Sequence, residues 1–482
     1  MRLNLKDKGG SLKNENEGAN PSSFNPHPSS FPLVRGLGLR EATALNMIDM
    51  VGIGPFVTMA LVIDIMSGPQ CIIAWVLGAL LAGLDGMVWS ELGAKWPEAG
   101  GSFVFLRKLY GEHTLGKLFS FLFIWQTIFQ APLVIASGSL GFAEHFGYLM
   151  PLTLIERKAV SGALVVLLTI VLYRRITTAG RISMIFWVVL ILTIAWILFA
   201  GATHFNPHLA FSYPPGAWSL SPVFFIVLGQ AMGKSVYSYL GYYNVCHLGS
   251  EIREPEKNIP RSMFISIGGI AIIYLGMQLS ILGTLPWQSA RYSQFVFSTF
   301  FEHLYGASAA NVGTILILII AAASLFSAML GYSRIPYAAA KDGAFFQVFA
   351  KVHPTKQFPN VSLLVLGAFA FVFSVFFDRM SDVISAILAM RILIQFIGQT
   401  VGLILWHRDR KRTESLPYRM PMFPIPAILS ILIWLFVFYF TGLKFIIGAS
   451  TVIGIGVVVY FIWAKIRGDW PWRPKDPALV KI

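Results

Sequence analysis

Long apolar runs recur along the whole chain and are separated by short polar segments. Ala163–Leu172, Met184–Ala200 and Val312–Ala323 are examples of nearly uninterrupted runs. A helix needs about 20 mostly apolar residues to cross the hydrocarbon core of a bilayer. On that measure the pattern predicts twelve spans, at 42–65, 70–90, 118–142, 158–173, 182–203, 221–250, 262–285, 311–338, 361–377, 382–406, 422–441 and 443–464. They divide as five, five and two.

Two spans break the pattern. The first reads Asn46-Met-Ile-Asp49-Met-Val51-Gly52-Ile53-Gly54-Pro55-Phe56, with a Gly-x-Gly-Pro interruption near its middle. The sixth reads Tyr237-Ser238-Tyr239-Leu-Gly241-Tyr-Tyr243-Asn244, polar and aromatic at the same depth. Glycine tolerates non-helical dihedrals, and Pro55 suits the first turn of a restarted helix. Freed backbone groups inside a membrane must be satisfied by protein, water or ligand. The restarted half-helix would aim its positive dipole end, near Gly52–Phe56, at an anionic group. Carbonyls near Tyr237–Leu240 would suit an ammonium. Matching interruptions five spans apart point to an inverted repeat with a central binding site. For one span alone, a close glycine-mediated helix crossing would explain the same residues.

Composition agrees with a membrane protein: 56% of the 482 residues are apolar and 12% charged, against roughly a quarter charged in soluble domains. The net charge of +14 is a matter of topology. Thirty of the 37 Lys and Arg residues fall on the side of the N-terminus and five on the other, which places both termini in the cytoplasm. No nucleic-acid site is therefore expected. Residues 1–40 read as a flexible cytoplasmic tail without a signal-peptide core, and 467–482 as a C-terminal tail. Cys71 and Cys246 both sit in apolar segments and suggest no disulfide.

Lys234 and Arg391 are the two cations left inside spans. Buried charge is costly, so each needs a partner or a function. Asp49 and Lys234 each lie about one turn before a break and could meet across it, as a titratable pair or as a static ion pair. Lys234 could also hold a substrate carboxylate. Arg391, Gln395 and Gln399 share a helical face, which fits structural bracing. Asp64 and Asp85 are expected nearer span ends, within reach of water, as caps or salt-bridge partners. Ser324 and Ser327 read as helix packing or as ion ligands. The scattered histidines make no His-Glu-x-x-His motif, Pro207 spoils the spacing of His204 and His208, and no phosphate loop is present. No cofactor, metal or catalytic residue is expected. Neither repeated pore-lining faces nor carbonyl filters suggest a channel.

Five motifs then carry a resemblance. They are Gly52-Ile-Gly54-Pro-Phe56; Trp89-Ser-Glu91 through Pro97-Glu-Ala-Gly100-Gly101; Gly249-Ser-Glu251-Ile-Arg-Glu-Pro255 through Arg261; Ser333-Arg334 through Lys341-Asp342-Gly343, followed by Phe349 to Pro354; and Leu416-Pro-Tyr-Arg419-Met-Pro421. In this order the chain resembles the amino acid–polyamine–organocation (APC) superfamily, whose fold is shared with the bacterial leucine transporter. The resemblance implies an all-α membrane protein with 12 transmembrane helices, a 5+5 inverted repeat plus two C-terminal helices. On this chain that is a transporter domain at 41–466, with repeats at 41–204 and 221–407 and the last two helices at 422–466. It also implies a substrate site built from Val51, Gly52, Ile53, Gly54, Tyr237, Ser238, Tyr239 and Gly241, with Tyr239 as an aromatic gate. The lysine that many proton-coupled members carry in span five is missing, Leu190 or a neighbour standing there, and Asp49 and Lys234 are the expected coupling residues.

The expected function is secondary active transport of a zwitterionic or neutral amino acid by alternating access, with proton coupling a candidate mechanism. The alternatives are a polyamine or organic-amine transporter, an amino-acid exchanger and a non-transporting amino-acid sensor. A polyamine would need carboxylates that span six lacks before Glu251. Aromatic residues such as Trp125, Phe129, Tyr239 and Tyr242 weakly favour apolar substrate side chains. The expected partners are the amino acid and the lipid bilayer, in a multi-pass protein of the plasma membrane.

Overall fold

The computed structural model describes residues 35–173, 179–354, 358–408 and 416–472, without side chains for 179–187. Most of the predicted N-terminal tail, the C-terminal residues beyond 472 and the basic residues Arg174, Arg175, Lys356, Arg410, Lys411 and Arg412 lie outside the described residues. Regular structure among the described residues is helical, apart from isolated bridges at Leu37–Ile252 and Ala99–Leu248.

The first predicted span is two helices, α1 (Leu39–Met50) and α2 (Gly54–Met66), bent by 52° at Val51–Ile53. Then follow α3 (Ile72–Lys95), α4 (Leu115–Leu149), α5 (Leu154–Leu172) and α6 (Ala179–Thr203). The sixth predicted span stops early: α7 (Pro222–Tyr239) ends at the second break, and one short turn, Asn244–His247, follows it. The later helices are α8 (Pro255–Thr284), α9 (Ala307–Tyr332), α10 (Asn360–Phe376), α11 (Met380–Arg391), α12 (Gln399–Trp406), α13 (Ile425–Phe440) and α14 (Leu443–Arg467). A π-helical turn, Ile392–Gly398, joins α11 to α12. It shifts the phase of the helix, and Gln399 faces the short helix Ser102–Leu109, where Ser102 Oγ donates to its Oε1 at 2.8 Å.

Local signals account for several boundaries. Thr153 and Glu156 close a reciprocal capping box on α5, with Thr153 N–H donating to Glu156 Oε2 at 2.7 Å. Ser221 accepts from Phe224 N–H at 3.2 Å, with Pro222 in the first turn of α7. Amphipathic helices missed by a search for apolar runs include Ser102–Leu109 and Val296–Tyr305, and the end of the predicted span 311–338 is a separate amphipathic helix, Arg334–Lys341.

Six helical stretches among the described residues are long and apolar enough to cross a membrane, or seven when α1 and α2 count as one bent span. Shorter apolar helices are Val188–Thr203 within α6, α10 and α13. Exposed apolar side chains line the perimeter, such as Leu167 and Ile170 on α5, Leu432 on α13, and Val458 and Ile462 on α14. Water would penalise so wide an apolar surface, whereas lipid accepts it. Inside, α2 packs along α7, α1 and α3 pack along α8, and α4 supports α9, α10 and α11. The two breaks therefore lie in the interior.

Candidate substrate site at two facing helix breaks

The first break leaves backbone groups open. Val51 N–H bonds to Met47 O at 3.0 Å and Gly52 N–H to Met50 O at 3.3 Å, while Phe56 N–H bonds to Ile53 O at 3.1 Å. No side chain caps the start of α2, and Pro55 has no N–H to offer. The donors at Ile53 and Gly54 thus stand at a helix N-terminus, where a helix is most receptive to an anion. Gly52 admits a close neighbour, since a Cβ there would come within 2.5 Å of Ser324 Oγ on α9. Ser327, one turn's spacing away, is exposed and takes no part.

The second break meets the first directly. Gly241 has φ of 123°, and a Cβ there would lie 2.9 Å from Asp49 C and Met50 N. Thr58 Oγ1 and Ser238 Oγ hydrogen-bond at 2.8 Å between α2 and α7. Asn46 Oδ1 accepts from Val245 N–H at 2.9 Å, tying α1 to the turn beyond the break. Tyr274 of α8 places its hydroxyl 2.8 Å from Met50 O and 3.1 Å from Ser238 O, so one donor serves a carbonyl of each break. Tyr274 and Asn46 were not singled out in the sequence. Their signal is a polar residue on the inner face of an otherwise apolar stretch.

Tyr237, rather than Tyr239, faces the first break. Tyr237 Cε1 would be 3.2 Å from a Cβ on Gly54, and its hydroxyl pairs with Ser137 Oγ at 2.7 Å. Tyr239, expected as the gate, turns to the opposite side of α7. It packs edge-on to Trp75 at 6.1 Å and against Tyr274 at 5.2 Å, and is 1% exposed. Two residues along a helix rotate a side chain by about 200°, so the pair cannot share a face.

The intramembrane charges are also arranged differently from the expectation. Lys234 Nζ donates to Ser381 O at 2.6 Å and to Ser385 Oγ at 3.0 Å, both on α11. Asp49 lies beside Gly241 on the other side of the break, and no ion pair joins it to Lys234 among the described residues. Arg391 is buried, with its guanidinium over the Tyr243 ring at 5.4 Å. Asp64 pairs with Arg291 at 2.9 Å, as a salt-bridge partner near a helix end. Asp85 is not near water: it is fully buried and accepts from Tyr242 Oη at 2.6 Å and Trp434 Nε1 at 3.2 Å. Its helix runs deeper into the core than the span estimate implied. Trp125 and Phe129 lie away from the breaks, with Trp125 Nε1 donating to Val452 O of α14 at 2.9 Å and Phe129 stacking on Phe369.

Three of the motif stretches meet at one end of the bundle. Trp89 stacks on Tyr243 at 4.7 Å, and Gly100 N–H bonds to His247 O at 3.2 Å. Glu91 pairs with His407 and accepts from Met420 N–H at 2.7 Å. These contacts hold the segment after the second break against α3 and the chain following α12.

The interior crossing of two broken helices, with open backbone donors at Ile53 and Gly54, is the candidate substrate site of a multi-pass membrane protein. Residues 37–464 match the family described as amino acid permease, and the chain belongs to that family. It is 23% identical to the methylthioribose transporter of Bacillus subtilis (strain 168) over 465 residues, covering 90% of this chain and 95% of the relative. It is 23% identical over 474 residues to the branched-chain amino acid permease BcaP of Lactococcus lactis subsp. cremoris (strain MG1363), covering 89% and 95%. It is 24% identical over 455 residues to the serine/threonine exchanger SteT of Bacillus subtilis (strain 168), covering 92% and 100%.

Proposed function

We propose that the chain is a secondary active transporter that carries a zwitterionic or neutral amino acid across the plasma membrane by alternating access, without covalent chemistry. In this reading it has twelve spans, as a 5+5 inverted repeat followed by two helices, and both termini are cytoplasmic. The observation that carries the proposal is the direct apposition of the two breaks, sealed by Gly241 against Asp49–Met50 and by Thr58 against Ser238. The substrate carboxylate takes the open donors of Ile53 and Gly54, with Val51 and Gly52, whose N–H groups are bonded within the break, lying beside it. The ammonium takes carbonyls at the end of α7, where Tyr237 and Ser238 line the site and Tyr239 and Gly241 support it. The names of the relatives, a branched-chain permease and a serine/threonine exchanger, support an amino-acid substrate. The sixth predicted span offers no carboxylate before Glu251 to match the further ammonium of a polyamine.

Asp49 and Lys234 act separately in this scheme: Asp49 at the hinge of the second break, Lys234 as a tether between α7 and α11. Uptake of labelled amino acids into proteoliposomes, with and without an inward proton gradient, tests the proposal. Saturable flux supports it. Absence of flux from folded protein that still binds amino acids would favour a sensor.

A further inference from the structure

Asp85 is a carboxylate that the transport scheme does not use. It is 0% exposed in the interior of α3, and no Lys, Arg or His forms an ion pair with it among the described residues. Its listeners are neutral donors from two directions. Tyr242 Oη stands at 2.6 Å, and α13 supplies Trp434 Nε1 at 3.2 Å and Ser430 Oγ at 3.5 Å. The faces around it add no compensating charge. From α8, Ile267 and Met263 lie beside Gly86, and the titratable Tyr274 is packed on Trp75 farther along. From α7, Lys234 is committed to α11 and Tyr239 to Trp75. From the π-helical turn, Phe396 stacks on Trp434 at 4.2 Å. Tyr243 neighbours Tyr242, and the Arg391 guanidinium lies over the Tyr243 ring at 5.4 Å.

Tyr242 follows Gly241, the residue on which the second break turns. The carboxylate is therefore tied to the segment that must move if the two breaks part. We infer that Asp85 is a proton-responsive latch on this hinge, holding Tyr242 when ionised and releasing it when protonated. The inference rests on the reading of the chain as a secondary transporter. A hydrogen bond to a charged acceptor is about twice as strong as a neutral one. Adding one proton to a carboxylate oxygen of Asp85 removes that charge and turns an acceptor into a donor. By linkage, a conformation in which Tyr242 has swung away binds the proton more tightly. One proton is taken up as the hinge opens and given back as Tyr242 redocks, which links proton movement to the hinge.

The test uses the full chain in proteoliposomes and compares wild type with Asp85→Asn and Tyr242→Phe. Counterflow, the exchange of labelled for unlabelled amino acid, reports transport itself. Accumulation driven by a proton gradient reports coupling. The latch predicts that D85N keeps counterflow and loses gradient-driven accumulation. D85N that accumulates with the wild-type pH profile, or that is folded but has lost counterflow, overturns it. Infrared difference spectra provide a readout independent of flux, so failure of the transporter reading is separable from failure of the latch. Wild type should show a protonated-carboxyl band that D85N lacks, growing as pH falls. In Y242F the midpoint of that band should rise by about one to two pH units, a ten- to hundred-fold gain in proton affinity. A band absent at every pH, or unmoved in Y242F, refutes the latch even if no substrate is transported.

Discussion

Gly52 and Gly241 sit at the two breaks, but a methyl group added to each meets a different kind of obstacle. At Gly52 the obstacle is the hydroxyl of Ser324, 2.5 Å from the new Cβ, while Ser324 Cβ is at 3.4 Å. A hydroxyl can rotate away, so Gly52→Ala should cost about 0.5–1.5 kcal/mol, the price of a forced rotamer. Ser324→Ala removes the clashing atom and leaves an ordinary contact, so G52A/S324A should recover most of that loss. At Gly241 the obstacles are the backbone atoms Asp49 C and Met50 N, both at 2.9 Å, and φ is 123°. Backbone cannot turn aside. Strain at an unfavourable φ costs about 1–3 kcal/mol and overpacking about 1–3 kcal/mol more, so Gly241→Ala should cost roughly 2–6 kcal/mol. Thermal unfolding of the purified protein and counterflow in proteoliposomes measure both variants. G241A should be the more damaged in each assay, and Ser324→Ala should not rescue it. A G241A protein of wild-type stability and flux would refute the claim that the two breaks are in contact.

Thr58→Val removes the hydrogen bond between α2 and α7 and should destabilise by about 1 kcal/mol, read from the unfolding midpoint; Ser238→Ala should not add to it, because the two changes delete one interaction. Asp49→Asn should abolish gradient-driven uptake while sparing exchange if Asp49 takes part in coupling, and an unchanged pH dependence would remove it from the mechanism. Outside the membrane-spanning segments, Asp469 is pushed up by partial burial, but the Lys117 hydrogen bond and charge, the Trp470 N–H and Arg467 outweigh this and hold it below the usual 3.8. A depressed folded value means that the contribution is complete above the unfolded pKa and disappears as pH falls through the folded one. Lys117→Met should therefore lower stability at neutral pH by at most about 1 kcal/mol, and the difference should vanish in acid; a difference that persists at low pH would assign it to packing.

Much of the architecture was legible because apolar runs report helices and glycine with proline reports where one stops. Gly52-Ile-Gly54-Pro marked the first break to within a residue, and Gly241 marked the second. The partners of the charges were less legible. Asp49 and Lys234 are each one turn from a break, yet the direction of a side chain depends on helix phase, and Lys234 points at α11. The same phase argument turns Tyr239, expected as the gate, toward Trp75, and leaves Tyr237, also expected at the site, facing the first break. Asp85 could not be read from span limits, because its depth depends on how α3 crosses α8 and α13. Tyr274 serves both breaks through a contact between helices far apart in sequence, and periodicity along one helix carries no trace of such a contact.

The central claim is that the facing breaks bind an amino acid and move it. Its most direct test is uptake of a labelled amino-acid mixture by sealed proteoliposomes, with and without an inward proton gradient, with G241A as the paired control. The account predicts saturable uptake in wild type that collapses in G241A. No uptake by demonstrably folded wild-type protein, or uptake indifferent to G241A, would contradict it.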